Sequence, residues 1–81
     1  MPYIKKDIRP SLDSGKEPTN AGELNYVITQ LLVKYQLHHP TCYQTYNDMV
    51  GVLESSKLEL YRRLIADYED SKIAANGDVY L

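Results

Sequence analysis

At 81 residues the chain allows one domain, and a domain this short buries only about 60% of the surface its unfolded chain exposes, so a partner or a staple matters more to it than to a larger fold. Apolar residues at 43% and charged residues at 25% are the proportions of a globular protein, while a net charge of −2 excludes the strongly basic balance of an ordinary nucleic-acid-binding domain. The single cysteine, Cys42, forms no disulfide within the chain, which argues against a stapled secreted scaffold and for a reducing, cytoplasmic setting.

Residues 1–19 hold Pro2, Pro10 and Pro18 among mixed charges and read as an extended N-terminal arm, with Tyr3, Ile4, Ile8 and Leu12 available to dock on the rest. No apolar run follows the opening Met-Pro-Tyr-Ile-Lys-Lys, so no signal peptide is expected. Apolar runs such as Leu31-Leu32-Val33 stop at three residues, against roughly 20 for a membrane span. A helical domain over 20–81 then begins at Asn20. Asn20 and Glu23 stand at cap and N3 spacing, where each side chain satisfies an orphan backbone N–H. This first helix runs to Leu37 and ends at His38-His39-Pro40, because proline disfavours helix in the residue before it.

Thr41 and Gln44 repeat the capping-box spacing and predict a second helix to about Ala66. Gly51 inside it costs about 1 kcal/mol against alanine, a loss that close helix approach along Gly51 and Ser55 would offset. Asp67 caps a short third helix through Asn76, and Gly77 sits where a left-handed C′ glycine belongs. The tail Asp78-Val79-Tyr80-Leu81 reads as a short strand or a docked end. No repeat or heptad array is apparent.

At 100° per residue, Leu24, Val27, Ile28, Leu31, Leu32 and Tyr35 share one face of the first helix. Tyr26, Val33 and Leu37 fall together on the opposite side, and only Glu23 and Lys34 are charged between residues 21 and 37. A helix apolar on two sides is buried on both. The second helix has one apolar stripe, Tyr46, Met49, Val50, Leu53, Leu60, Tyr61, Leu64 and Tyr68, opposite Ser55, Glu59, Arg62 and Arg63. The fold expected is therefore all-α: an antiparallel helical hairpin plus a short C-terminal helix, doubled into a dimeric four-helix bundle that covers both faces of the first helix.

Chemistry-bearing residues are few. Lys57 lies in the middle of the second stripe, where an ammonium is costly unless paired. With Glu54 one turn back, Glu23 across and tyrosine hydroxyls nearby, it can form a polar pocket for an anion. The plainer alternative is a stem that packs while its head reaches water. His38, His39 and Cys42 match no known metal spacing and read as a polar loop. Glu54, Glu59, Asp67, Glu69 and Asp70 invite comparison with all-α magnesium-dependent nucleotide pyrophosphohydrolases, but the Glu-Glu-x-x-Glu pattern of those enzymes is absent. Arg62, Arg63, Lys57 and Tyr61 make a small basic and aromatic patch suited to phosphate, beside acidic neighbours that favour solvated ion pairs. No metal, no cofactor and no catalytic residue is assigned.

Five stretches carry a resemblance: Gly22-Glu23-Leu24-Asn25-Tyr26; Gly51-Val52-Leu53-Glu54; Glu59-Leu60-Tyr61-Arg62-Arg63; Tyr68-Glu69-Asp70 with Lys72; and Asn76-Gly77-Asp78-Val79-Tyr80. Over residues 20 to 80 they resemble a family of short uncharacterised proteins of prokaryotes and their viruses. That family carries no assigned activity, so no catalytic role transfers, but the resemblance implies that the tail belongs to the fold. Glu23, Tyr26, Glu54, Lys57, Tyr61, Arg62 and Tyr68 become the positions to watch as a candidate polar pocket. The function expected is that of a non-enzymatic, homo-oligomeric interaction or structural protein outside the membrane. A small metal-dependent nucleotide-processing enzyme and a nucleic-acid accessory protein are the alternatives.

Overall fold

The computed structural model describes residues 1–80, whose regular structure is all helical. In chain order the elements are α1 (Arg9–Asp13), α2 (Ala21–Leu37), α3 (Tyr43–Leu60), a π turn (Tyr61–Ile65) and α4 (Ala66–Asn76). They form two compact units, Met1–Tyr46 and the residues from Asn47 onward. Among the described residues no helix is long and apolar enough to cross a membrane.

In the first unit, part of the segment expected to be extended is helical. Pro10 stands in the first turn of α1, where its missing N–H is not needed and its fixed φ already suits a helix. Gly15, at φ 106°, follows, and its N–H donates to the carbonyl of Leu12. α1 packs on α2, burying Leu12 and Tyr26. The N-terminal residues close over the start of α2. Arg9 donates from Nε and Nη2 to the Ile4 carbonyl at 3.1 and 2.8 Å. A Cβ on Gly22 would meet Asn20 Oδ1 and Ile4 Cγ2 at 3.4 Å, ordinary contact distance, which places the N-terminal residues directly against the first turn of α2.

α2 has the limits that its signals predict. Asn20 is extended, and its Oδ1 accepts from the Glu23 N–H at 2.9 Å. Its far end is closed by imidazoles. His38 Nδ1 lies 2.8 Å from the Lys34 carbonyl and His39 Nδ1 2.6 Å from that of Tyr35, contacts that the Nδ1–H tautomers satisfy as donors. The His39 ring stacks on Tyr35 at 3.8 Å. The two-sided apolar character of α2 is covered in part. Tyr26 is only 6% exposed beneath α1, whereas Val33 and Leu37 remain 42% and 71% exposed. On the other face Leu24, Ile28, Leu31 and Tyr35 are exposed, with Val27 and Leu32 half-buried.

α3 starts one residue later than a Thr41 cap requires. Its first helical bond runs from the Tyr46 N–H to the Cys42 carbonyl, and the Thr41 hydroxyl accepts from Gln36 Nε2 at 3.1 Å. The expected break at Asp67 does not occur. Helical structure continues from Tyr43 to Asn76, interrupted only by the π turn, in which the Ala66 N–H bonds to the Tyr61 carbonyl five residues back. Gly77 ends α4 at φ 88°, its N–H donating to Ile73. Asp78–Tyr80 form no strand; the Tyr80 N–H donates to Asp78 Oδ1, and Leu81 lies outside the described residues.

Replacing Asn20 with alanine removes the acceptor for the Glu23 N–H. The expected loss is about 1 kcal/mol in urea unfolding, with Asn20→Gly losing only a few tenths.

Candidate functional site

The seven positions of the candidate pocket divide between the two units: Glu23 and Tyr26 in the first, Glu54, Lys57, Tyr61, Arg62 and Tyr68 in the second. Glu23 is buried and fully engaged. Its Oε1 accepts from the Thr19 N–H and hydroxyl, both at 3.2 Å, and its Oε2 from Asn20 Nδ2 at 3.3 Å. This is the reciprocal half of the α2 cap, shifted by one residue because the carboxylate reaches the Thr19 amide.

Tyr26 is the centre of the first unit. Its hydroxyl donates to Asp13 Oδ1 at 2.9 Å, at the last residue of α1, and the Arg9 guanidinium stands 5.8 Å from its ring. Burial, then the bond to Asp13 and the charge of Asp13, raise its pKa above the ordinary 10.0, with Arg9 pulling the other way. The small cleft bounded by Leu12, Asp13, Tyr26, Gln30 and Lys34 measures about 60 Å³, too small for a metabolite.

In the second unit the polar residues pair along one helix. Lys57 Nζ lies 3.2 Å from Glu54 Oε1, with both side chains largely in solvent, so its head reaches water in the single chain. Arg62 Nη2 meets Glu59 Oε1 at 2.9 Å, and Arg63 Nε approaches the same oxygen at 3.8 Å. The Lys72 ammonium stands 5.5 Å from the Tyr68 ring. Such exposed pairs contribute roughly 0–1 kcal/mol each.

The Tyr61 hydroxyl donates to Glu69 Oε1, eight residues on. In an unbroken α-helix these residues stand about 80° apart around the axis. The extra residue of the π turn turns α4 back by roughly that amount and brings Glu69 beneath Tyr61. The same rotation sets Tyr68 within roughly 20° of Leu60 around the axis, where its side chain is exposed. The bond to Glu69 and the charge of that carboxylate, more than burial, raise the Tyr61 pKa, with smaller effects from Asp70 and Tyr80. Beyond the turn, Glu69, Lys72, Ile73, Asn76, Val79 and Tyr80 border an open groove of about 290 Å³ between α4 and the tail.

Arg9 and Asp13 beside Tyr26, and Glu69 as the acceptor from Tyr61, are the partners that sequence reasoning missed. Glu59, one of the acidic neighbours expected to form solvated ion pairs with Arg62 and Arg63, does pair with both. Among the described residues no three His, Cys, Asp or Glu side chains converge as metal ligands.

A family model described as "Domain of unknown function (DUF6899)" matches residues 1–79. The chain belongs to this family. The DUF6899 match takes in the first nineteen residues as well as α2 to α4, so the segment containing α1 is part of the family's common domain. No curated protein and no solved structure matches the chain.

Both raised phenols act in one direction. Each stabilises the fold fully below the ordinary tyrosine pKa, and that contribution is lost as pH rises through the raised folded value. Alkaline titration followed by tyrosinate absorbance should show a late component, and Tyr26→Phe and Tyr61→Phe should each remove part of it. A titration in which all eight tyrosines ionise together would contradict both placements.

Proposed function

We propose that this DUF6899 protein is a non-enzymatic helical interaction protein that works as a homo-oligomer, two copies covering each other's apolar helix faces. The observation that carries this reading is the bare stripe of α3. Val50 and Leu64 are 65% and 64% exposed, Leu53 and Leu60 are exposed between them, and within the second unit no other helix lies against this run among the described residues. A single helix in water draws little stability from its own hydrogen bonds and depends on packing an amphipathic face. Each of these side chains contributes about 1.5–3 kcal/mol when fully buried, which a second copy can supply several times over. An antiparallel pairing of α2 and α3 in each copy, doubled to four helices, is the simplest arrangement that also covers Leu24, Ile28 and Leu31.

The non-enzymatic part rests on how the candidate residues are used. Glu23 closes a helix start, Tyr26 holds α1, and Glu54, Lys57, Glu59 and Arg62 pair on one helix surface. The exposed thiol of Cys42 is suited to a reducing compartment, which makes the cytoplasm the proposed location.

Light scattering at micromolar concentration should return about twice the 9.3 kDa chain mass. Leu60→Asp should shift the protein toward monomer and lower its helical circular dichroism. A wild-type chain that stays a helical monomer on concentration would overturn the reading.

A further inference from the structure

Along α3 and into the π turn, exposed positions repeat at alternating spacings of four and three: Tyr46, Val50, Leu53, Lys57, Leu60 and Leu64. This is the spacing by which paired helices pack, and it spans roughly 27 Å here. Five members are apolar or aromatic and one is charged. Lys57 occupies the middle of the seam, and Glu54, to which it pairs at 3.2 Å, flanks it.

These positions have a symmetry that selects a partner. We propose that the seam of α3 pairs with the same seam of a second copy in antiparallel orientation, about a two-fold axis level with Ser55, with Lys57 and Glu54 setting the orientation. The proposal rests on the self-association put forward above and adds its geometry. In that register Tyr46 packs against Leu64 of the other copy, Val50 against Leu60, and Leu53 against the stem of Lys57. The Lys57 ammonium then emerges beside Glu54 of the other copy, and the two-fold axis makes the same contact a second time. A parallel, in-register pair instead sets Lys57 against Lys57, so that each ammonium keeps its own Glu54 but meets a like charge from the other copy rather than a second carboxylate. A polar residue at a single seam position is a common means of fixing register and orientation. The charge pattern thus favours a second copy running the opposite way.

Two measurements test this on the full chain. In a Cys42→Ser background, a spin label at Ser71→Cys lies beyond the seam and reports the separation of the two copies. The antiparallel pair places the labels roughly 45–50 Å apart, from a rise of 1.5 Å per residue on either side of Ser55. A parallel pair holds them roughly 10–20 Å apart, close to the interhelical distance plus the label arms. Separately, Lys57→Glu sets a carboxylate against Glu54 of the other copy at both symmetric contacts and should weaken the dimer by about ten-fold or more, a change of 1.4 kcal/mol per factor of ten. Adding Glu54→Lys to that variant should restore wild-type association. In a parallel pair Lys57→Glu only exchanges one like-charge contact for another and leaves the affinity near wild type. A dimer with the labels at any separation other than the long one, or a dimer unaffected by Lys57→Glu, overturns the antiparallel seam and leaves self-association standing. A wild-type monomer at micromolar concentration overturns both.

Discussion

The structure depends on where apolar side chains find cover. Among the described residues of one chain, Leu12 and Tyr26 are the large apolar side chains that are buried, and both lie at the contact of α1 with α2. That contact combines packing with direction. The Tyr26 ring fills the space beneath α1, and its hydroxyl reaches Asp13. Elsewhere helix formation runs ahead of burial. α2 is well capped at both ends, yet most of its apolar positions face outward, and α3 carries a full stripe with no helix of its own unit upon it. Conformational entropy of about 1–2 kcal/mol per ordered residue has to be offset by burial, which is the ground for the self-association proposed above.

Polar residues in this molecule serve mostly to end and hold helices. Glu23 and Asn20 exchange contacts at the start of α2, and His38 and His39 close its last turn against carbonyls that would otherwise need water. Two groups that look like ligands in isolation, the paired histidines and the buried glutamate, are thereby accounted for by backbone satisfaction. Lys57 differs from them. It is held by Glu54 on an exposed surface, in the middle of the apolar stripe whose pairing is proposed above.

Much of this is legible in the residue order where local chemistry decides. The limits of α2 follow from Asn20, Glu23 and Pro40, and Gly77 does take positive φ. The errors have local causes. Pro10 reads as punctuation in an extended arm, but proline at the start of a helix favours one. Asp67 has the chemistry of a cap, yet no glycine or proline lies between Val52 and Ile73, so nothing obliges the helix to stop. The π turn has no residue signature, and without it the Tyr61–Glu69 bond is geometrically out of reach. Tyr26 with Asp13 joins positions thirteen apart across a loop, which periodicity along a single helix does not reveal. Of the candidate site, the Lys57–Glu54 pair is readable from spacing alone, while the division of the seven residues between two units is not.

The π turn has a further consequence for how this family can vary. It holds one residue more than a regular turn needs, so a single deletion within Tyr61–Ile65 would restore an ordinary ladder without breaking the helix. The helices on either side would keep their facing, because seven residues of an ordinary helix turn through the same angle, about 700°, as eight that include the surplus one. Glu69 would stay beneath Tyr61 when the residue lost is one of Arg62 to Ile65. The π turn is thus slack in the chain, a place where one residue can be given up in a single step while α3 and α4 go on facing as they do.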